Sequence, residues 1–271
     1  TREAGIATFR TPETCADALA SALRRRPPRR IVGCVGGVDV APLVGLGAGQ
    51  APLAGSLEMV AVLGAPPPAS ATIPVKDIYA AHEMSASISY PAVAKIVSSD
   101  ILHKTEAGGV FVGAGNAMEL AEACAAMVRR VGERRPDAAL EAVTLETQEM
   151  GLTEAIVGYR VDPADDPAVT VGAGGVLAEI YRDVAMRPAP VNRREAQEMI
   201  GEVRAFAAIC GYRSLPLGDV EALAGVVEAI SRLACVTDVQ VQEAEINPVL
   251  VKPEGAGVVS LDALFVIGDR G

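Results

Sequence analysis

The stretch Tyr90-Pro91-Ala92-Val93-Ala94-Lys95-Ile96-Val97 and, after a polar loop, Gly108-Gly109-Val110-Phe111-Val112 decides the fold class. Both apolar runs are short and rich in β-branched residues, so they predict two consecutive strands with no crossover helix between them. A helix follows: Asn116 and Glu119 make a capping-box-like start, and Leu120, Cys124, Met127, Val128 and Val131 fall on one face. Further strands are predicted over 142–148 and 154–161, joined by a loop at Met150-Gly151, and over 169–171. Asn192 with Glu195 repeats the capping pattern, and Asp219 opens a helix with Leu223, Val226, Val227, Ile230 and Leu233 inward. Strands at 239–241 and 257–261 close the chain. Without strict βαβα alternation, the expectation is an α+β architecture (α/β class in the broad sense) with antiparallel pairs, not a Rossmann sheet.

Toward the N-terminus, 71–75 is a strand candidate, 77–86 a helix, and 57–63 a short helix closed by Gly64 and Pro66-Pro67-Pro68. Residues 31–55 carry Asp39 as their only charge, but seven glycines, Pro42 and Pro52 oppose a spanning helix; a linker is expected there. Residues 6–9 read as a strand, and Thr11-Pro12 caps a helix carrying Cys15, Leu19 and Leu23. That first unit is too small to fold alone and predicts the tail of a preceding domain, as Thr1 in place of an initiator Met also suggests.

Of 271 residues, 34 are acidic and 24 basic, giving a net charge of −10, which argues against nucleic-acid binding. Half the residues are apolar, enough for a sizeable core, yet only 3% are aromatic, so that core must be aliphatic. Cys15, Cys34, Cys124, Cys210 and Cys235 are scattered singly, beside only two histidines, His82 and His103. This pattern fits reduced thiols in a cytoplasmic protein better than a disulfide framework or a zinc site.

Four constellations could carry chemistry. Lys95 lies in an apolar strand, either as an edge-strand lysine in solvent or as an anion ligand on the face opposite Ala94 and Ile96. The loop from Ser98 to Gly109 holds His103, Lys104, hydroxyls and two glycines, which suits phosphate but is also compatible with a surface turn. Gly172-Ala173-Gly174-Gly175 follows a strand without the Lys-Ser/Thr of a Walker loop, so a tight turn without ligand stays open. Finally, Glu243-Ala244-Glu245-Ile246-Asn247-Pro248 lies fifteen residues before Asp262. Two short strands of a hairpin would set Asn247 beside Asp262, and an amide oxygen plus a carboxylate suit Mg²⁺.

In this order the motifs resemble the ATP-grasp (β-type) part of the NDP-forming acyl-CoA synthetases, relatives of succinyl-CoA synthetase, from about Ser56 to Ile267. The matching stretches are 90–96, 99–110, Gln148-Glu149-Met150, 154–158, 172–176 with Asp183 and Arg187, 211–213, and 245–248 with Asp262-Ala263. The resemblance implies two α+β subdomains clamping Mg-ATP, about 56–140 and 141–271, after a ligase-module tail at 1–30 and the linker at 31–55. It implies the reaction acyl-CoA + ADP + phosphate ⇌ carboxylic acid + CoA + ATP. By position, Lys95 would bind phosphate, Gln148, Glu149 and Met150 would contact adenine largely through backbone, and Glu154 would be a nucleotide-side carboxylate. Gly174 and Gly175 would face the nucleotide, and Asn247 and Asp262 would hold Mg²⁺. His103 would relay phosphoryl from a first phosphohistidine to ADP, with Lys104 and Arg187 neutralising its charge.

The sequence departs from that pattern mildly: Ser214 follows Arg213 where glycine is usual, Ser89 precedes Tyr90 where glycine is usual, and Glu245 stands where Asp is common. The CoA-binding and ligase modules are not in this chain, so CoA and the carboxylic acid are expected through an upstream or separate subunit, with an oligomer in the full enzyme and no nucleic-acid or membrane partner. An alternative of a different class is the regulatory ATP-grasp-like domain of a protein lysine acetyltransferase; a third is an inert scaffold.

Overall fold

The computed structural model describes residues 9, 11–24, 33–34, 36–84, 88–101, 104–161, 167–175 and 183–268. The chain divides into two compact units, residues 1–32 and 33–271. In the first, helix α1 spans Pro12–Arg24, and the Thr14 amide donates to Thr11 Oγ1 at 3.3 Å, the cap that Thr11-Pro12 predicts. The expected strand at 6–9 lies outside the described residues except for Phe9, which is in no strand.

The second unit holds two sheets, and every strand pair described is antiparallel. The smaller sheet runs β2 (Ser70–Pro74), β5 (Ala142–Thr147), β3 (Ala92–Val97), β4 (Val110–Ala114). Its core is closed by α4 (Ala117–Arg134), whose buried stripe is Leu120, Cys124, Met127 and Val131. Asn116 caps this helix by accepting from the amides of Met118 and Glu119, while Glu119 turns to the Gly115 amide, so only half of the capping box forms. Of the predicted helix at 77–86, a 3₁₀ turn at Val75–Ala80 and the single α-turn α3 (Ala81–Met84) are described.

The larger sheet runs β1 (Gly49–Gln50), β11 (Ala263–Ile267), β9 (Val241–Val251), β6 (Thr153–Arg160), β7 (Ala168–Ala173), β8 (Val184–Pro188), with β10 (Val258–Ser260) also on β9. One face is covered by α5 (Arg193–Glu202) and α6 (Val220–Ser231). The full capping box at Asn192 and Glu195 and the Asp219 cap to the Ala222 amide start these helices where the sequence places them. An Arg193 clasp to Glu221 (2.6 Å) and Glu228 (2.9 Å) ties them together.

Three expectations change. Residues 36–55 are not a free linker: Val40, Leu43 and Ala51 are buried in the larger core, Gly49 and Gln50 pair with Ile267 and Val266, and α2 starts at Leu53 and runs to Val62. Glycine-rich chain is poor helix, but here it supplies an edge strand of the larger sheet. The division between sheets falls at 148–152, because β5 belongs to the small sheet and β6 to the large one, while α2 packs on the large-sheet core. Third, Cys34 and Cys235 are disulfide-bonded, Cα to Cα 5.5 Å, across a sequence separation of 201 that no local spacing reveals; Cys15, Cys124 and Cys210 are free.

Candidate functional site

Strand alternation on β3 sends Ala94 and Ile96 into the core under α4 and Lys95 to the opposite face. β3 lies between β5 and β4, so Lys95 is not on an edge, and its side chain is 18% exposed. An ammonium so enclosed needs acceptors. It finds Glu146 Oε2 at 2.7 Å on β5 and the Leu261 carbonyl at 2.8 Å, in the turn between β10 and β11 of the other sheet.

Lys104 crosses the same way. It opens a turn in which the Gly109 amide donates to the Lys104 carbonyl at 2.8 Å, and the Gly108 amide to the Thr105 carbonyl at 3.0 Å. Gly108 has φ +74°, and any Cβ at Gly109 would overlap the Ile96 side chain, so the two glycines are required by the turn itself. From it Lys104 Nζ reaches Asp262 Oδ2 at 3.1 Å and Oδ1 at 3.4 Å.

Asp262 sits where β9 changes partner, pairing with β10 through Val249–Val251 and with β11 up to Ile246. At that break the Asn247 amide donates to the Asp262 carbonyl (3.0 Å), and the Ala263 amide to Asp262 Oδ1 (3.0 Å). The Asn247 side-chain amide donates to Glu245 Oε1 at 3.1 Å, which leaves its Oδ1 as an acceptor. Asn247 and Asp262 are therefore adjacent, although through one long strand with a divided partner and not a simple hairpin. A carboxylate and an amide oxygen, with phosphate and water to complete the shell, fit Mg²⁺ by donor chemistry.

The larger sheet presents Glu154, Gly158, Thr170, Met186 and Glu245 on the face opposite its helices. Glu154 and the glycine turn meet directly: the Gly174 amide donates to the Glu154 carbonyl at 2.8 Å. A Cβ at Gly174 would stand 2.9 Å from Glu154 Cβ, and Gly175 has φ +81°. The strand extends through Ala173, so only Gly174-Gly175 begin the turn. Between the sheets, the Gln148 amide donates to the Pro91 carbonyl at 2.9 Å, Glu149 pairs with Lys252 at 2.8 Å, and Met150 is 76% exposed. Gln148 Oε1 is buried with no described partner.

Arg187 stands apart. On β8 it points with Ala185, opposite Val169, to the helix-covered face, where it binds Glu202 at the end of α5 and the Met186 carbonyl. The resemblance locates Arg187 along the chain but not on a face, and alternation turns it away from the open face. His103 lies outside the described residues. Burial pushes the Cys124 thiol up to about 11 and the Tyr159 phenol up to about 12, both on core faces and away from this cluster.

Sequence reading misses Glu146 and the Leu261 carbonyl. Glu146 carries a signal, a lone carboxylate in the otherwise apolar and Thr-bearing run of β5; a backbone carbonyl carries none.

Residues 56–267 match the family model of the ATP-grasp domain. The chain is 36% identical over 195 residues to the ADP-forming acetate–CoA ligase I of Archaeoglobus fulgidus, covering 72% of this chain but 28% of that protein. It is 35% identical over 187 residues to the beta subunit of the ADP-forming acetate–CoA ligase I of Pyrococcus furiosus, covering 69% of this chain and 79% of that subunit. Among solved structures, the dinucleotide-forming acetyl-coenzyme A synthetase 1 of Ca. Korarchaeum cryptofilum, in complex with coenzyme A and Ca-AMPCP, superposes with a TM-score of 0.71 at 28% identity, over 81% of this chain and 92% of that one. The same protein with Mg-AMPPCP, its phosphohistidine segment pointing towards the nucleotide site, gives 0.66 at 27% identity, over 80% and 92%. With the fold, the paired sheets and these matches in agreement, the chain belongs to the ATP-grasp family, and the relatives it resembles here are ADP-forming acetate–CoA ligases.

Proposed function

We propose that this chain is the nucleotide-binding part of an ADP-forming acyl-CoA synthetase, an acid–thiol ligase acting with a CoA-binding subunit or module. The observation that carries this reading is the meeting of Lys95 and Lys104 from one sheet with Leu261, Asp262 and Asn247 of the other. Two fixed cations facing oxygen donors make a site for a polyphosphate and a divalent ion, in a protein whose net charge of −10 would otherwise repel both phosphates and CoA. The named relatives are ligases, which favours turnover over the regulation of an acetyltransferase.

In the proposed direction of ATP synthesis, an imidazole nitrogen of His103 attacks phosphorus on a phosphohistidine of the partner module, and that P–N bond breaks. A terminal oxygen of ADP then attacks the phosphorus on His103, giving ATP and returning the imidazole. Lys95, held by Glu146, orients the phosphates; Gln148, Glu149 and Met150 line the adenine side; Glu154 with Gly174 and Gly175 forms the facing wall. Asn247 and Asp262 would hold Mg²⁺, which when bound neutralises phosphate charge. Running in reverse, the cycle joins a carboxylic acid to CoA. A cytoplasmic setting accords with the substrates, and no described helix is long and apolar enough to cross a membrane.

The test is to give the intact protein, together with its CoA-binding subunit where that is a separate chain, Mg-ATP, CoA and a panel of carboxylic acids and to assay ADP and thioester together. Both products are expected in equal amounts, and His103→Ala abolishes them while nucleotide still binds. Neither product from any acid overturns the proposal.

A further inference from the structure

Asp262 is oriented without help from any lysine: its Oδ1 accepts from the Ala263 amide at 3.0 Å and its carbonyl from the Asn247 amide at 3.0 Å. Lys104 adds a charge without setting the carboxylate's orientation: its ammonium faces Oδ2 at 3.1 Å from a separate turn on the smaller sheet. The pair is partly enclosed, with side chains 22% and 45% exposed. We infer that Lys104 is a resident counter-ion of the divalent-cation site, occupying Asp262 until nucleotide phosphates draw it away, so that cation and nucleotide bind cooperatively. This rests on the reading of Asp262 as a metal ligand.

The physics is a competition between positive charges. An ammonium and a divalent ion on one carboxylate stand a few ångströms apart and repel in a partly desolvated site. A cation arriving alone must displace Lys104 into solvent with no new partner. A cation arriving with phosphate offers Lys104 a replacement anion next to Lys95, which already keeps its place through Glu146 and the Leu261 carbonyl. One lysine thus serves two partners in turn, and the loss of its ion pair with Asp262 becomes a penalty on the metal when it arrives alone.

The experiment titrates Mn²⁺ into the full chain without nucleotide, read by loss of the free-ion electron paramagnetic resonance signal, and repeats it with ADP. Lys104→Gln is expected to bind Mn²⁺ about two- to fivefold tighter than wild type without nucleotide, the range that such a pair supports. The enhancement of Mn²⁺ affinity by ADP should shrink in the same variant. Lys104→Met should behave as Lys104→Gln, giving a second neutral variant if one folds poorly by circular dichroism, whereas Lys104→Arg should stay near wild type. Mn²⁺ affinity unchanged in both neutral variants overturns the inference. Asp262→Asn separates the two claims: if it leaves Mn²⁺ binding intact with ADP present, the assignment of Asp262 as a ligand fails, whatever Lys104 does.

Discussion

At the residue scale, Arg213 and Ser214 show where chemistry and conformation disagree. Both have left-handed backbone, φ 50° and 64°, following Gly211 at φ 95°, and Arg213 stacks over the Tyr212 ring at 5.1 Å. A residue with a Cβ is strained there by about 1 kcal/mol, and glycine is not. Ser214→Gly is therefore expected to raise stability by about 0.5–1 kcal/mol, seen as a melting point higher by roughly 1–3 °C for a protein of this size. A lower melting point would show that the Ser214 side chain contributes more than its backbone costs. The sequence already marks the position, since glycine is usual there in the pattern this chain resembles, but only the backbone angle says why. Lys95 is the reverse case: an apolar strand around an ammonium announces a functional group, while its two acceptors lie 51 and 166 residues away and cannot be read locally.

At the element scale, alternation along strands decides which predicted residues belong to the site. β3 turns Lys95 outward between Ala94 and Ile96, and β8 turns Arg187 inward beside Ala185, so a similar motif position yields opposite outcomes. Arg187→Gln is expected to cost about 1–3 kcal/mol of stability through its lost bond to Glu202, with unchanged affinity for Mg-ATP. Calorimetric titration of the variant checks this, and a weakened nucleotide affinity would return Arg187 to the site. The strands, the capped helices at Asn116, Asn192 and Asp219 and their buried stripes are legible because period and capping are local properties. The single long β9 with two successive partners is not, because Asn247-Pro248 reads as a turn while its pairing continues through both residues' neighbours.

At the scale of the whole molecule, the two sheets meet across the lysine contacts, and the glycine-rich stretch after residue 36 is drawn into the larger core. Its attachment is covalent as well, through Cys34 and Cys235. In a chain-entropy account, closing so long a loop stabilises by up to about 5 kcal/mol. The double variant Cys34→Ser with Cys235→Ser should unfold at lower urea, and thiol titration of the unfolded, unreduced protein should find the three free thiols Cys15, Cys124 and Cys210. Five thiols before reduction would contradict the bond. The expectation of scattered reduced cysteines came from spacing, which has no access to a contact made only by the folded larger sheet.

The central claim is that Lys95, Asn247 and Asp262 converge on one metal–nucleotide complex. Anomalous diffraction from crystals of the full chain grown with Mn²⁺ and a non-hydrolysable ATP analogue tests it directly. The account predicts one manganese peak within coordination distance of the Asp262 carboxylate and the Asn247 side-chain oxygen, with a phosphate oxygen on Lys95. Manganese bound elsewhere, or a nucleotide whose phosphates avoid Lys95, would contradict it.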